Sequence, residues 1–154
     1  MLGQTRRLIA DASQERERAR RLRRDLLRDI HVLVVDDNED ALDIFIAFFK
    51  YFGAHVVTSD TARSALGIIE SARVNVVVSD LMMPGEDGLW LIQRVRRLRP
   101  ERGGTIPMVA VTAHRYAYDE SHISEKGFEA YLTKPIDAYD LITTVAKLVG
   151  RYTG

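Results

Sequence analysis

Cysteine is absent from the 154 residues. Disulfides and cysteine-ligated metals are thereby excluded, and the composition fits a reducing compartment. Net charge is absent as well: 22 Lys and Arg stand against 22 Asp and Glu. The whole chain therefore has no overall bias toward nucleic acid or anionic membrane. No stretch approaches the roughly 20 apolar residues of a membrane span, and the N-terminus has no apolar signal core. The expectation is a soluble, cytoplasmic protein with no membrane partner. The four histidines, His31, His55, His114 and His122, show no metal-ligand spacing and are read as non-ligands. What is present, 46% hydrophobic residues, is enough for a sizeable core, and the length suits one domain plus an appendage.

The charge is unevenly spread. Residues 1–29 carry nine arginines against five acids, a surplus of four positive charges that the remainder balances. This shift places a boundary near residue 30: a basic N-terminal helical extension or linker over 1–29, then a domain over 30–154. Residues 4–28 lack Pro and internal Gly and are rich in helix formers. Their apolar stripe is thin, as in a solvated extension or a weakly docked helix.

Apolar strand patterns follow over 30–35, 54–59, 74–80, 106–111 and 129–133, and helical patterns over 38–52, 61–71, 89–98, 115–126 and 137–149. Strands alternating with helices give a parallel, doubly wound α/β sheet. The first helix is unusually apolar. Ala41, Ile44, Phe45, Phe48 and Phe52 form one stripe, and Leu42, Ile46 and Phe49 form another. One stripe faces the sheet; the second, Leu42–Ile46–Phe49, is surplus and suggests a homodimer surface or an intramolecular cover.

Polar residues collect at the strand ends: Asp36 and Asp37, Asp80, Thr112 and Lys134. In a parallel sheet these ends lie on one edge, where ligands bind. Three carboxylates close together repel unless a cation is present. A hard ion such as Mg²⁺ takes carboxylate and carbonyl oxygens. With Lys134 and the Thr112 hydroxyl, the set suits a phosphoryl group, and a carboxylate can be its nucleophile. Taken singly, Asp36–Asp37 is a helix N-cap pair, Thr112 a strand end and Lys134–Pro135 a turn; together they point to one site.

The motifs VLVVDD (32–37), SDLMMPGEDG (79–88), VTA (111–113) and YLTKP (131–135), each at an expected strand end, make the chain from about residue 30 to 151 resemble the receiver domain of two-component response regulators. The resemblance implies a flavodoxin-like fold: a five-stranded parallel sheet in the order 2-1-3-4-5 flanked by five helices, here with an additional N-terminal helix. It implies that Asp80 is the phosphoacceptor. Asp37 would ligate Mg²⁺ directly, Asp36 through water, and the Met82 carbonyl would complete the protein ligands. Lys134 would pair with the phosphoryl group, before a cis Pro135. The backbone of Leu81, Met82 and Ala113 would contact the phosphoryl oxygens, and Thr112 and Tyr131 would be the switch pair. Met82 and His114 occupy the positions that influence the attacking water, an apolar shield at one and a water-orienting group at the other. Trp90 stands where receivers usually carry a polar residue, as a partner anchor or as packing.

The chain ends at Gly154, shortly after the last helix, so the first expectation is a single-domain response regulator in a phosphorelay. It would take its phosphoryl group from a sensor histidine kinase or histidine phosphotransfer protein. It would catalyse its own phosphorylation and slow dephosphorylation rather than turn over a substrate. The alternative is the C-terminal receiver of a hybrid histidine kinase, with 1–29 as linker. A phosphoaspartyl hydrolase of the haloacid dehalogenase type would need an acid where Met82 stands. Nucleic-acid binding through the basic arm is disfavoured by its interspersed acids.

Overall fold

The computed structural model describes residues 13, 14, 16–113 and 119–153. Strands β1 (His31–Val35), β2 (His55–Ser59), β3 (Val76–Asp80), β4 (Met108–Thr112) and β5 (Ala130–Thr133) alternate with helices α1 (Glu39–Tyr51), α2 (Ala62–Ser71), α3 (Gly88–Arg96), α4 (Glu120–Glu125) and α5 (Ala138–Leu148). All neighbouring strands pair in parallel, in the order β2-β1-β3-β4-β5. The expected topology is the observed one. The part of the expected fourth helix at residues 115–118 lies outside the described residues, and the described helix begins after its cap, Asp119, which accepts the Ser121 N–H.

The three inner strands, β1, β3 and β4, are buried on both faces, which is why they read as continuous runs of Val and Ala, while the edge strands β2 and β5 are partly exposed. Alternate residues divide between two cores. Val32, Val34, Val76, Val78, Val109 and Val111 face α1 and α5. Leu33, Val35, Val77, Met108 and Ala110 face α2, α3 and α4. Side-chain caps start the helices: Asn38 for α1, Thr61 for α2, Asp87 for α3 and Asp137 for α5. Arg96 closes the far end of the sheet, donating to the carbonyls of Gly104, Ile106 and Gly127 and to Glu129.

Two expectations are corrected. The stripe Leu42–Ile46–Phe49 is not surplus. The residues of α1 and its cap that are buried are Leu42, Phe45, Phe49 and Phe52, drawn from both stripes, while Ile44 is exposed. A helix lying on a sheet buries an arc centred between the two stripes, so Leu42 and Phe49 are core and offer no free face to a second copy. The second correction concerns the N-terminal segment. The expected helix over 4–28, whose residues 4–12 and 15 are outside the described set, is helical at 13, 14 and 16–20 and gives way to tight turns over 24–29.

The physical cause of that break is Leu27. Its side chain is fully buried among α1 and α5 residues, and its N–H leaves the helix to donate to the Phe52 carbonyl at 2.9 Å. Leu22 and Leu26 pack on the same cluster. Asp29 takes a positive φ to turn the chain into β1. Arg18 stacks on Tyr139 of α5 and Arg24 on Tyr51 of α1. The segment from 16 to 30 is thus a strap along the α1–α5 side, and its last part belongs to the core that was expected to start at residue 30.

Replacing Leu27 by Ala should lower the unfolding free energy by about 3 kcal/mol, the usual cost of emptying a buried leucine site. Urea denaturation measures it. A loss under about 0.5 kcal/mol would be the behaviour of a solvated linker.

Candidate functional site

The chain order β2-β1-β3 reverses direction between β1 and β3, and the crevice outside the carboxyl ends of these two strands is where an open parallel sheet binds ligands. Asp36 follows β1 and Asp80 ends β3, so both acids sit at this crevice. Asp36 is 1% exposed and Asp80 9%; Asp37 is exposed. Carboxylate oxygens of Asp36, Asp37 and Asp80 lie within 4.8 Å of one another, and among the described residues they are the group of three or more metal-ligating side chains that converges.

Each buried carboxylate has a defined set of donors. Asp36 accepts the Asn38 N–H at Oδ1 (2.9 Å) and the Lys134 ammonium at Oδ2 (2.7 Å). Asp80 accepts the Met82 N–H at Oδ1 (3.1 Å) and Lys134 at Oδ2 (3.3 Å). Lys134 is placed by its own backbone: its N–H donates to the Thr112 carbonyl at 2.8 Å, and the following peptide to Pro135 is cis, as expected. One ammonium therefore bridges two carboxylates from different strands.

Burial pushes the Asp80 carboxyl above the usual carboxylate range, and the Asp36 charge adds to this; the Met82 N–H and the Lys134 charge pull the other way without cancelling it. For Lys134, burial lowers the pKa, but the hydrogen bond to Asp36 and the charges of Asp80 and Asp36 outweigh it, so the ammonium is held protonated. A cation would relieve the remaining repulsion. Around Mg²⁺, oxygens at about 2.1 Å lie roughly 3–4 Å apart, a small adjustment from the spacing seen, and an all-oxygen donor set fits a hard ion.

The two residues expected to form the switch pair fall on one face. Thr112 ends β4, fully buried. Tyr131 lies on β5 opposite Ala110, and Thr133 opposite Thr112. By the period of two, Thr112 and Tyr131 point to the α2–α4 side. Ala113 follows at the exposed edge, and His114 lies outside the described residues. Met82 is 45% exposed. Leu81 departs from expectation: its N–H is committed to the Val111 carbonyl at 2.9 Å, continuing the ladder, so Met82 supplies the amide that faces the Asp80 carboxylate. A cleft of about 910 Å³ under Arg16, lined by Phe48, Ile136 and Asp140, contains none of the three acids; converging charge, not concavity, marks this site.

Some arrangements carried no sequence signal. His31 and His55 are register partners whose rings stack at 4.7 Å. Arg63 of α2 donates to Glu86 in the loop after β3 at 2.8 Å. Both pairings follow from the sheet order, which local spacing does not encode.

Residues 32–146 match the response regulator receiver domain. The chain is 39% identical over 119 residues to an uncharacterized 14.6 kDa protein from the sodA1 3′ region of Leptolyngbya boryana, covering 77% of this chain and 89% of that protein. It is 37% identical over 120 residues to the sensor histidine kinase GacS of Pseudomonas protegens, 77% of this chain but only 13% of the kinase's length. In solved structures it resembles the receiver domain of the sensor histidine kinase PA1611 from Pseudomonas aeruginosa, which has a magnesium ion coordinated in its active-site cleft. The TM-score is 0.72 at 24% identity, over 79% of this chain and 98% of that one.

The raised Asp80 pKa carries a signed consequence. Between the ordinary carboxylate value and the raised one, the folded state binds more protons than the unfolded state. Stability therefore falls as pH rises through that window and stays lower above it. Asp80→Asn should melt about 3 °C higher at pH 7, as about 1 kcal/mol gives in a domain of this size. The gap should close on acidification through the raised pKa. A variant that melts lower at pH 7 would contradict the burial argument.

Proposed function

The chain belongs to the response regulator receiver family, and on that premise we propose that it is a phosphoacceptor switch: Asp80 takes a phosphoryl group from a phosphohistidine and the domain's partner-binding surface changes in consequence. The observation that carries this reading is the Lys134 bridge between the two buried acids, Asp36 and Asp80. It holds the buried Asp80 carboxyl against a fixed positive charge, as an oxyanion nucleophile for phosphorus requires.

In the transfer, an Asp80 oxygen forms the new O–P bond as the donor's N–P bond breaks, and the imidazole leaves with its electron pair and takes up a proton. Asp36, Asp37, Asp80 and the Met82 carbonyl would hold Mg²⁺, which when bound offsets the negative charge on the transferring oxygens. Lys134 would pair with one of those oxygens, and the Met82 and Ala113 amides would donate to others. Dephosphorylation is the same displacement with water as nucleophile. The exposed Met82 side chain, two residues after Asp80, would shield the acyl phosphate.

The switch pair then reads the phosphoryl group. The Thr112 hydroxyl turns toward it, and Tyr131, on the same face, fills the space released. The α4–β5–α5 surface presents the change to a partner or to a second copy. This is a population shift between two states, each biased by the phosphoryl contacts.

A second reading has one observation in its favour. The similarity to GacS supports a receiver from a hybrid kinase, with the basic N-terminal segment as its linker. Either way the partner class is a histidine kinase or phosphotransfer protein, and a cytoplasmic location follows from such a donor. No helix among the described residues is long and apolar enough to cross a membrane.

Acetyl phosphate with Mg²⁺ should add one phosphoryl group by intact mass. Asp80→Asn or a chelator should abolish the gain, and Lys134→Ala should slow it about 100-fold, as loss of a charge-stabilising donor does. Full labelling of Asp80→Asn would overturn the assignment.

A further inference from the structure

The loop between β3 and α3 carries Met82, and its two ends are fixed. Leu81 is tied to β4 by its N–H. At the other end the Gly88 N–H donates to the Leu81 carbonyl at 3.2 Å, Gly88 lies so close to the Asp80 carbonyl that a Cβ would collide with it, and Asp87 caps Trp90. Between these ends, Met83 is buried, Met82 is exposed and Gly85 has a positive φ of 76°. The side chain that carries the outer part of this loop to another helix is Glu86, which accepts from Arg63 Nε at 2.8 Å.

Arg63 is itself held in place. Its guanidinium lies 5.6 Å from the centroid of the Trp90 ring, which Arg94 also approaches at 5.2 Å. Trp90 is thus a packing platform for two cations, with Glu86 as their anion. The Glu86 carboxyl is held below the usual range, chiefly by the Arg63 hydrogen bond.

We infer that Arg63 is a positioning residue for the metal site: by holding Glu86 it fixes the loop that presents the Met82 backbone, and so sets the affinity of the acid pocket for Mg²⁺. The inference rests on the phosphoacceptor reading of that pocket. With the tie cut, rotation at Gly85 loosens the outer part of the loop, and the Met82 backbone is held less firmly beside Asp80. Because the pair is largely exposed, its contribution is modest.

The test is a Mg²⁺ titration followed by NMR shifts of the Asp80 and Met82 amides. Arg63→Ala and Glu86→Ala should each weaken Mg²⁺ binding about two- to fivefold, the range of an exposed ion pair. The double variant should lose no more than either single one, and Arg63→Lys should recover most of the affinity. Melting temperatures should not move. A long-range charge effect alone would drive the two single variants in opposite directions, because one removes a positive and the other a negative charge; that result, or unchanged affinity in all variants, overturns the inference. Absence of Mg²⁺ binding by the unaltered protein overturns the phosphoacceptor reading, and this inference with it.

Discussion

One ammonium group holds the working edge of this molecule together. Lys134 lies between Asp36 and Asp80, on strands that would otherwise bring two buried carboxylates side by side. Like charges in a crevice raise each other's protonation energy, and leaving a buried charge unpaired is among the costlier defects a fold can carry. The bridge offsets that cost and also spans the sheet, since Lys134 follows β5 while Asp36 follows β1 and Asp80 ends β3. On the proposed function, a phosphoryl group on Asp80 would change what this ammonium is paired with, and the response of the domain would begin with a rearrangement of its own electrostatic tie.

The rest of the architecture serves to keep this edge in place. Because all five strands run parallel, their carboxyl ends lie on one rim. Backbone contacts then aim the groups: the Lys134 N–H on Thr112, the Asn38 N–H on Asp36, the Met82 N–H on Asp80. The strap from 16 to 30 closes the α1–α5 side through Leu27 and through Arg18 on Tyr139. It lies behind α5, whose cap Asp137 comes three residues after Lys134.

Much of this was legible in the sequence because it is local. Val-rich runs ending in acids and the Lys134–Pro135 pair each announce themselves within a few residues, and the alternation of strands and helices then assigns them to one rim. The motifs also carried the sheet order, through resemblance rather than periodicity. What could not be read depends on three-dimensional neighbours. Two apolar stripes on α1 looked like one too many, because a helical pattern does not say how wide an arc the sheet covers. Leu27 resembled its neighbours in an arginine-rich segment, and only its place beside Phe52 makes it core. Leu81 looked available to a ligand, yet its amide continues the β3–β4 ladder. The pairing of Arg63 with Glu86 spans 23 positions and has no spacing signature.

Family membership and the geometry of the acids converge on Asp80, the claim on which the functional account stands. The most direct measurement is chemical trapping: phosphorylate the protein with acetyl phosphate and Mg²⁺, reduce with borohydride, and sequence the peptides by mass spectrometry. An acyl phosphate on Asp80 is converted to homoserine at that position alone, and this is the expected result. Homoserine at Asp36 or Asp37, or a stable phosphoryl group that borohydride leaves untouched, would contradict it.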